Sequence, residues 1–164
     1  MDEMKQVFEV LDQIEEVSSR NTKMGLLFQL QHNSFARFYF ETIYNPFLTY
    51  GVAGVKPYEG NWEIDTLENM RTLRDRLADR TFSGNEARDL VAKQISVADP
   101  LAKKFLSAMW NRDLRVGVST SSLDKVFPGL IPSYELQACN KITTERLNPN
   151  WVISRKLNGF RLTI

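Results

Sequence analysis

The sequence predicts a mainly α fold: a helical domain over residues 1–132, a linker over 133–150 and a short β fragment over 151–164. Three observations predict it. Apolar residues recur at three- and four-residue spacing through residues 1–110, with no alternating strand pattern among them. Breaks at Ser18-Ser19-Arg20-Asn21, Asn33-Ser34, Asn45-Pro46 and Asp99-Pro100 cut that pattern into helix-length pieces. Near the end, Trp151, Val152 and Ile153 precede an Asn158-Gly159 pair, and Leu162 and Ile164 follow it. Both turn residues tolerate positive φ, so the stretch reads as a strand, a tight turn and a second strand.

The first helix is expected over residues 4–18, where Val7, Leu11, Ile14 and Val17 make one apolar stripe and Glu3, Asp12, Glu15 and Glu16 lie elsewhere. A second spans 22–31 with Met24, Leu26, Leu27, Phe28 and Leu30. Asn33-Ser34 offers an N-cap to a third over 35–44, which is dense in Phe35, Phe38, Tyr39, Phe40 and Tyr44. Such aromatics could stack on bases. One helical face uses most of them, which favours core and makes this the most buried helix. Asn45-Pro46 stops it, and residues 47–61, punctuated by Gly51, Gly54, Pro57 and Gly60, form an irregular loop.

Asp65-Thr66 opens a fourth helix to about residue 79, with Leu67, Met70, Leu73 and Leu77 as its core stripe. Arg71, Arg74, Arg76 and Arg80 make its other faces basic, with Asp75 and Asp79 between them, the pattern of a solvated, ion-paired surface. Ser83-Gly84-Asn85-Glu86 has a capping pattern for a helix over 85–97 carrying Ala87, Leu90, Val91 and Ile95. Asp99 caps the next helix, 100–110, with Pro100 at its first position and Leu101, Phe105, Ala108 and Met109 inward.

Composition is that of an ordinary globular protein, 43% hydrophobic and 25% charged. One cysteine, Cys139, excludes a disulfide framework, and one histidine, His32, excludes a His/Cys metal cluster. No apolar run reaches the ~18 residues a membrane helix needs, and the acidic start lacks a signal-type apolar stretch, so a cytosolic protein with no membrane partner is expected. The net charge of +1 is unevenly placed: residues 111–164 carry eight basic and four acidic side chains, net +4, which leaves −3 for the rest. Chance scatter could give that excess; so could a weakly basic, phosphate-facing surface.

Residues 112–132 differ in kind from what precedes them. Arg112 and Arg115 lie near a helix end, Gly117 permits a turn, and Ser119 to Ser122 offer hydroxyls and amides at the start of a short helix over 123–127. Two arginines, a glycine turn and a helix start suit contact with a phosphate backbone. They equally suit a helix C-cap followed by an ordinary N-cap, with arginines at the favourable end of a helix dipole.

Two blocks together resemble one family. Lys156-Leu157-Asn158-Gly159-Phe160-Arg161 resembles the first nucleotidyltransferase motif of ATP-dependent DNA ligases, lysine-x-aspartate-glycine-x-arginine. Residues 111–132 resemble the arginine-leucine-x-x-glycine segment that ends the helical DNA-binding domain of those enzymes, and the Val126-Phe127-Pro128-Gly129-Leu130-Ile131-Pro132 run looks most like the phage-type members. Arg80-Thr81-Phe82-Ser83-Gly84-Asn85-Glu86-Ala87 is also similar to their helical domain. One departure is Asn158, which stands where the family has aspartate and keeps the turn but lacks the carboxylate. The other is that the sequence stops at Ile164, ahead of the family's remaining catalytic motifs, so the expectation is the front portion of a ligase.

The resemblance implies a mechanism. Lys156 would be the nucleophile, its neutral ε-amine attacking the α-phosphate of ATP to give lysyl-AMP. Gly159 and Arg161 would help hold the nucleotide, and Mg²⁺ would balance the phosphates through ligands outside this sequence. AMP would pass to the 5′-phosphate of a nick and be displaced by the 3′-hydroxyl. The helical domain would bind nicked double-stranded DNA through phosphates, with Arg112, Arg115, Gly117, Ser119 and Lys125 as candidates. The portion alone is not expected to seal nicks, and a second polypeptide could carry the rest of the catalytic domain. A non-catalytic DNA-binding module and a part of an RNA ligase or capping-type enzyme are the alternatives.

Overall fold

The computed structural model describes residues 2–60 and 62–132. The expected linker and β fragment, and with them Lys156, Gly159 and Arg161, lie outside those residues. The described residues are mainly helical: α1 Asp2–Glu16, α2 Arg20–Phe28, α3 Ser34–Tyr44, α4 Leu67–Ala78, α5 Gly84–Ile95, α6 Pro100–Trp110 and α7 Thr120–Val126. None is long and apolar enough to cross a membrane.

α3 forms where its sequence says it should. Asn33 sits in extended conformation and its side chain accepts from the Ala36 amide, so one otherwise unpaired helical donor is satisfied. The same Asn33 amide group donates to the Glu3 carbonyl at 2.9 Å, tying α3 to α1. Seven of its residues are buried, including Phe35, Phe38, Tyr39 and Phe40. α3 packs against α1, α4 and α6. Phe8 of α1 meets Phe35 edge-on at 5.6 Å and stacks on Phe105 of α6 at 6.1 Å, while Phe40 meets Phe127 at 5.6 Å. Each fully buried ring contributes roughly 2–3 kcal/mol by removal from water. The Tyr39 hydroxyl donates to the Phe105 carbonyl at 2.8 Å, and burial pushes its pKa well up. The aromatics of α3 are therefore core and not a stacking surface.

Helix boundaries differ from expectation at α1, α2 and α7. α1 begins at Asp2 and ends before the half-buried Val17. α2 begins at Arg20, inside the stretch expected to be a break. α7 begins at Thr120, because the Ser119 hydroxyl accepts from the Ser122 amide and starts the helix earlier than the apolar pattern suggests. At α5 the capping expectation is not met: Ser83 precedes the helix, but its side chain caps no amide, and Gly84 follows it in left-handed conformation. Asp99 does cap α6, accepting from Leu101 and, more loosely, Ala102.

The loop after α3 is held by side chains rather than by its own ladder. Asn111 takes the Val55 amide on its oxygen and donates to the Val55 carbonyl. Trp62 and Val97 form a single parallel bridge, the one piece of β pairing among the described residues. Arg80 leaves α4 with a φ of 68° and donates to the Thr49 hydroxyl at 3.2 Å. Gly51 has a φ of 65°, a left-handed conformation that favours glycine, and the Arg80 guanidinium lies over the space a side chain there would take.

Candidate nucleic-acid interface

The basic side chains expected to hold phosphate have different positions and different jobs. Arg112 follows α6 with a φ of 54°, a left-handed conformation that is uncommon for arginine. From there its Nε donates to the Ile43 carbonyl at 2.8 Å, one Nη to the Asn45 carbonyl at 2.7 Å and the other to the Leu48 carbonyl. The guanidinium also lies 5.8 Å from the centre of the Tyr50 ring. Burial drives the Tyr50 hydroxyl up to about 12, even with Arg74 and Arg112 nearby to lower it. The three carbonyls come from the end of α3 and the loop after it, where helix geometry leaves acceptors unpaired. Arg112 is a tie that closes the C-terminal end of α3, with its Nε and both Nη nitrogens donating to carbonyls of its own chain.

Arg115 is free to act outward. Its side chain is 84% exposed and pairs with Asp113 through two bonds of 2.8 Å. That hydrogen-bonded guanidinium holds the Asp113 carboxyl below the usual carboxylate range. An exposed pair of this kind contributes little to stability. Lys125 lies exposed in the last turn of α7 without a partner among the described residues.

Gly117 and Ser119 line an open groove of about 490 Å³ between the starts of α2 and α7. From the α2 side come Ser18, Arg20 and Lys23; from the α7 side come Ser121 and Ser122. The two helices pack on one another. Lys23 is half-buried, and its ammonium donates to the Val116 carbonyl at 2.6 Å. Gly117, with a φ of 70°, makes the turn that brings this carbonyl to the lysine, and a β-carbon there would lie 2.9 Å from the ammonium nitrogen. The Ser119 hydroxyl is within 2.9 Å of Ser121 and 3.0 Å of Ser122.

Electrostatics on the α2 side favour an anion. The first-turn amides of a helix lack intrahelical acceptors, and the Ser19 side chain caps none of those in α2. α2 has no acid in its first turn, which it shares with α3, α6 and α7. Arg20 and Lys23 instead place two cations near the positive end of the dipole, each disfavoured by roughly 0.3–1 kcal/mol. An anion in the groove relieves that repulsion. Arg20 and Lys23 were not singled out by the sequence, whose block from Arg112 onward drew attention to the α7 side. The signal that could have found them is this placement of cations at a helix start.

The arginines of α4 are engaged elsewhere. Arg74 bonds Glu41 at 2.8 Å and Asp75 at 2.9 Å and lies over the Phe38 ring, and Arg76 lies over Phe82. Among the described residues no cluster of three or more His, Cys, Asp or Glu could hold a metal ion.

No protein-family model matches the chain, and no curated protein matches it. Solved structures do. One chain, named Pmar-Lig_PreS3, is 26% identical with a TM-score of 0.63, covering 73% of this chain and 28% of that one. Another, named Pmar-Lig_Pre, is 27% identical with a TM-score of 0.61, over the same 73% and 28%. The chain thus spans less than a third of the length of these ligase-named neighbours, and its helical region has a ligase-related fold.

Proposed function

We propose that this chain contributes the helical DNA-binding part of an ATP-dependent DNA ligase and that its helices hold nicked duplex DNA by the sugar-phosphate backbone. The observation that carries the reading is the likeness to ligase-named chains over 73% of its length. Two further features support it. The groove at the start of α2 concentrates cations and unpaired donors, which suits phosphate oxygens and reads no base. The resemblance of residues 156–161 to a nucleotidyltransferase motif supplies the chemistry.

In this reading the Lys156 ε-amine attacks the α-phosphate of ATP, pyrophosphate leaves, and AMP stays on the lysine until it moves to the 5′-phosphate of the nick. Gly159 and Arg161 contact the nucleotide, and Mg²⁺ offsets the phosphate charge. Arg115, Gly117, Ser119 and Lys125 belong to the DNA-facing side. Arg112 is left out of that set, because three of its five N–H groups already donate to carbonyls of its own chain. A cytosolic location remains with the same proposal.

A mobility-shift competition tests it. The chain should shift a nicked, 5′-phosphorylated DNA duplex at low salt, and the same sequence as an RNA duplex should compete poorly. No shift of DNA at low salt would remove the reading, and preference for RNA would replace it with an RNA-joining enzyme.

A further inference from the structure

We propose that the groove between α2 and α7 seats one DNA backbone phosphate, with the Lys23 ammonium at its base and the Arg20 guanidinium at its rim. The proposal rests on the DNA reading above and assigns cations that the sequence motif does not contain. An ammonium has three donors. Lys23 directs one at the Val116 carbonyl, 2.6 Å away, which leaves two without a partner among the described residues. That bond fixes the nitrogen in the groove, so little side-chain freedom is lost when a phosphate arrives. Arg20 is exposed and without a partner among the described residues, one helical turn from Lys23. The hydroxyls of Ser119 and Ser121 line the facing wall 2.9 Å apart; one donates to the other, which leaves one hydroxyl proton of the pair for a phosphate oxygen.

The same geometry gives Gly117 a second role. Its φ of 70° already favours glycine. In addition, a β-carbon would lie 2.9 Å from the Lys23 nitrogen, inside contact distance, and would push the ammonium off its position. Gly117 is therefore a positioning residue for Lys23, acting through the space it leaves open.

The test is the salt dependence of affinity for a duplex of about 20 base pairs, followed by fluorescence anisotropy across roughly 50–200 mM salt. Lys23→Met should weaken binding roughly tenfold at low salt and lower the slope of log K against log salt by about 0.9, the signature of one lost phosphate contact. Arg20→Gln should lower the slope in the same sense, and it decides the matter if circular dichroism shows Lys23→Met unfolded. Gly117→Ala should weaken binding in the parent and add nothing in the Lys23→Met background. Arg88→Gln, an exposed cation on α5, should leave the slope unchanged. If the parent binds but folded Lys23→Met and Arg20→Gln keep its slope, the phosphate site is wrong and the DNA reading stands. The site is likewise wrong if Arg88→Gln lowers the slope as much. If the parent binds no duplex at all, the DNA reading itself fails.

Discussion

Replacing Arg112 by alanine should destabilise the helical domain by about 3 kcal/mol and leave duplex affinity almost unchanged. Three charge-assisted bonds end on the carbonyls of Ile43, Asn45 and Leu48. Bonds of this type contribute roughly 1.5–3 kcal/mol each in a dry setting. Arg112 is half-buried, so water can reach part of the space the side chain vacates, which brings the total down to about 3 kcal/mol. Alanine also keeps the left-handed backbone at this position, so no strain is recovered. Arg112→Lys should lose most of the same amount, because one ammonium cannot span three carbonyls that a planar fork reaches together. At about 4 °C per kcal/mol for a domain of this size, the melting temperature of Arg112→Ala should fall by roughly 12 °C. Urea denaturation gives the free energy and anisotropy the affinity. A variant within about 0.5 kcal/mol of the parent in stability but crippled in DNA binding would refute the reasoning and return Arg112 to the phosphates.

Three further outcomes follow from the packing and the caps. Tyr39→Phe removes the buried hydroxyl bonded to the Phe105 carbonyl and should cost about 1 kcal/mol in urea denaturation; no change would show that bond to be idle. Asp99→Ala uncaps α6 while Pro100 stays, and should cost about 1 kcal/mol by the same assay. The Glu3 carboxylate accepts from the Ser34 hydroxyl, which above all holds its pKa below the usual range, with the Phe35 amide adding to this at 3.3 Å. A depressed carboxyl stabilises the fold above its unfolded pKa, and that contribution disappears as pH falls through the folded value. Glu3→Gln should therefore lose a few tenths of a kcal/mol at neutral pH and show a shallower acid limb, the group being well exposed. A steeper limb would reverse the sign of the argument.

What the sequence made legible was local. The aromatic run of α3, the Asn33 cap and the Asp99-Pro100 start are each settled within a few residues, and the structure places them as the pattern suggests. What it hid was long-range. Arg112 finds acceptors 64 to 69 positions away, so nothing beside it distinguishes a structural tie from a phosphate ligand. Lys23 meets Val116 across 93 positions, and the groove exists only because α2 and α7 pack together. Ser18 to Asn21 looked like a break because its residues are polar, yet Arg20 already lies in helix. At Ser83 the capping letters were present, but the side chain caps no amide.

The most direct test of the account is amide hydrogen exchange of the chain with and without nicked duplex DNA. The account predicts slower exchange in residues 20–23 at the start of α2 and residues 117–122 before and within α7, with α4 and its paired arginines unaffected. Protection confined to α4, or bound DNA with no protection at either helix start, would contradict it.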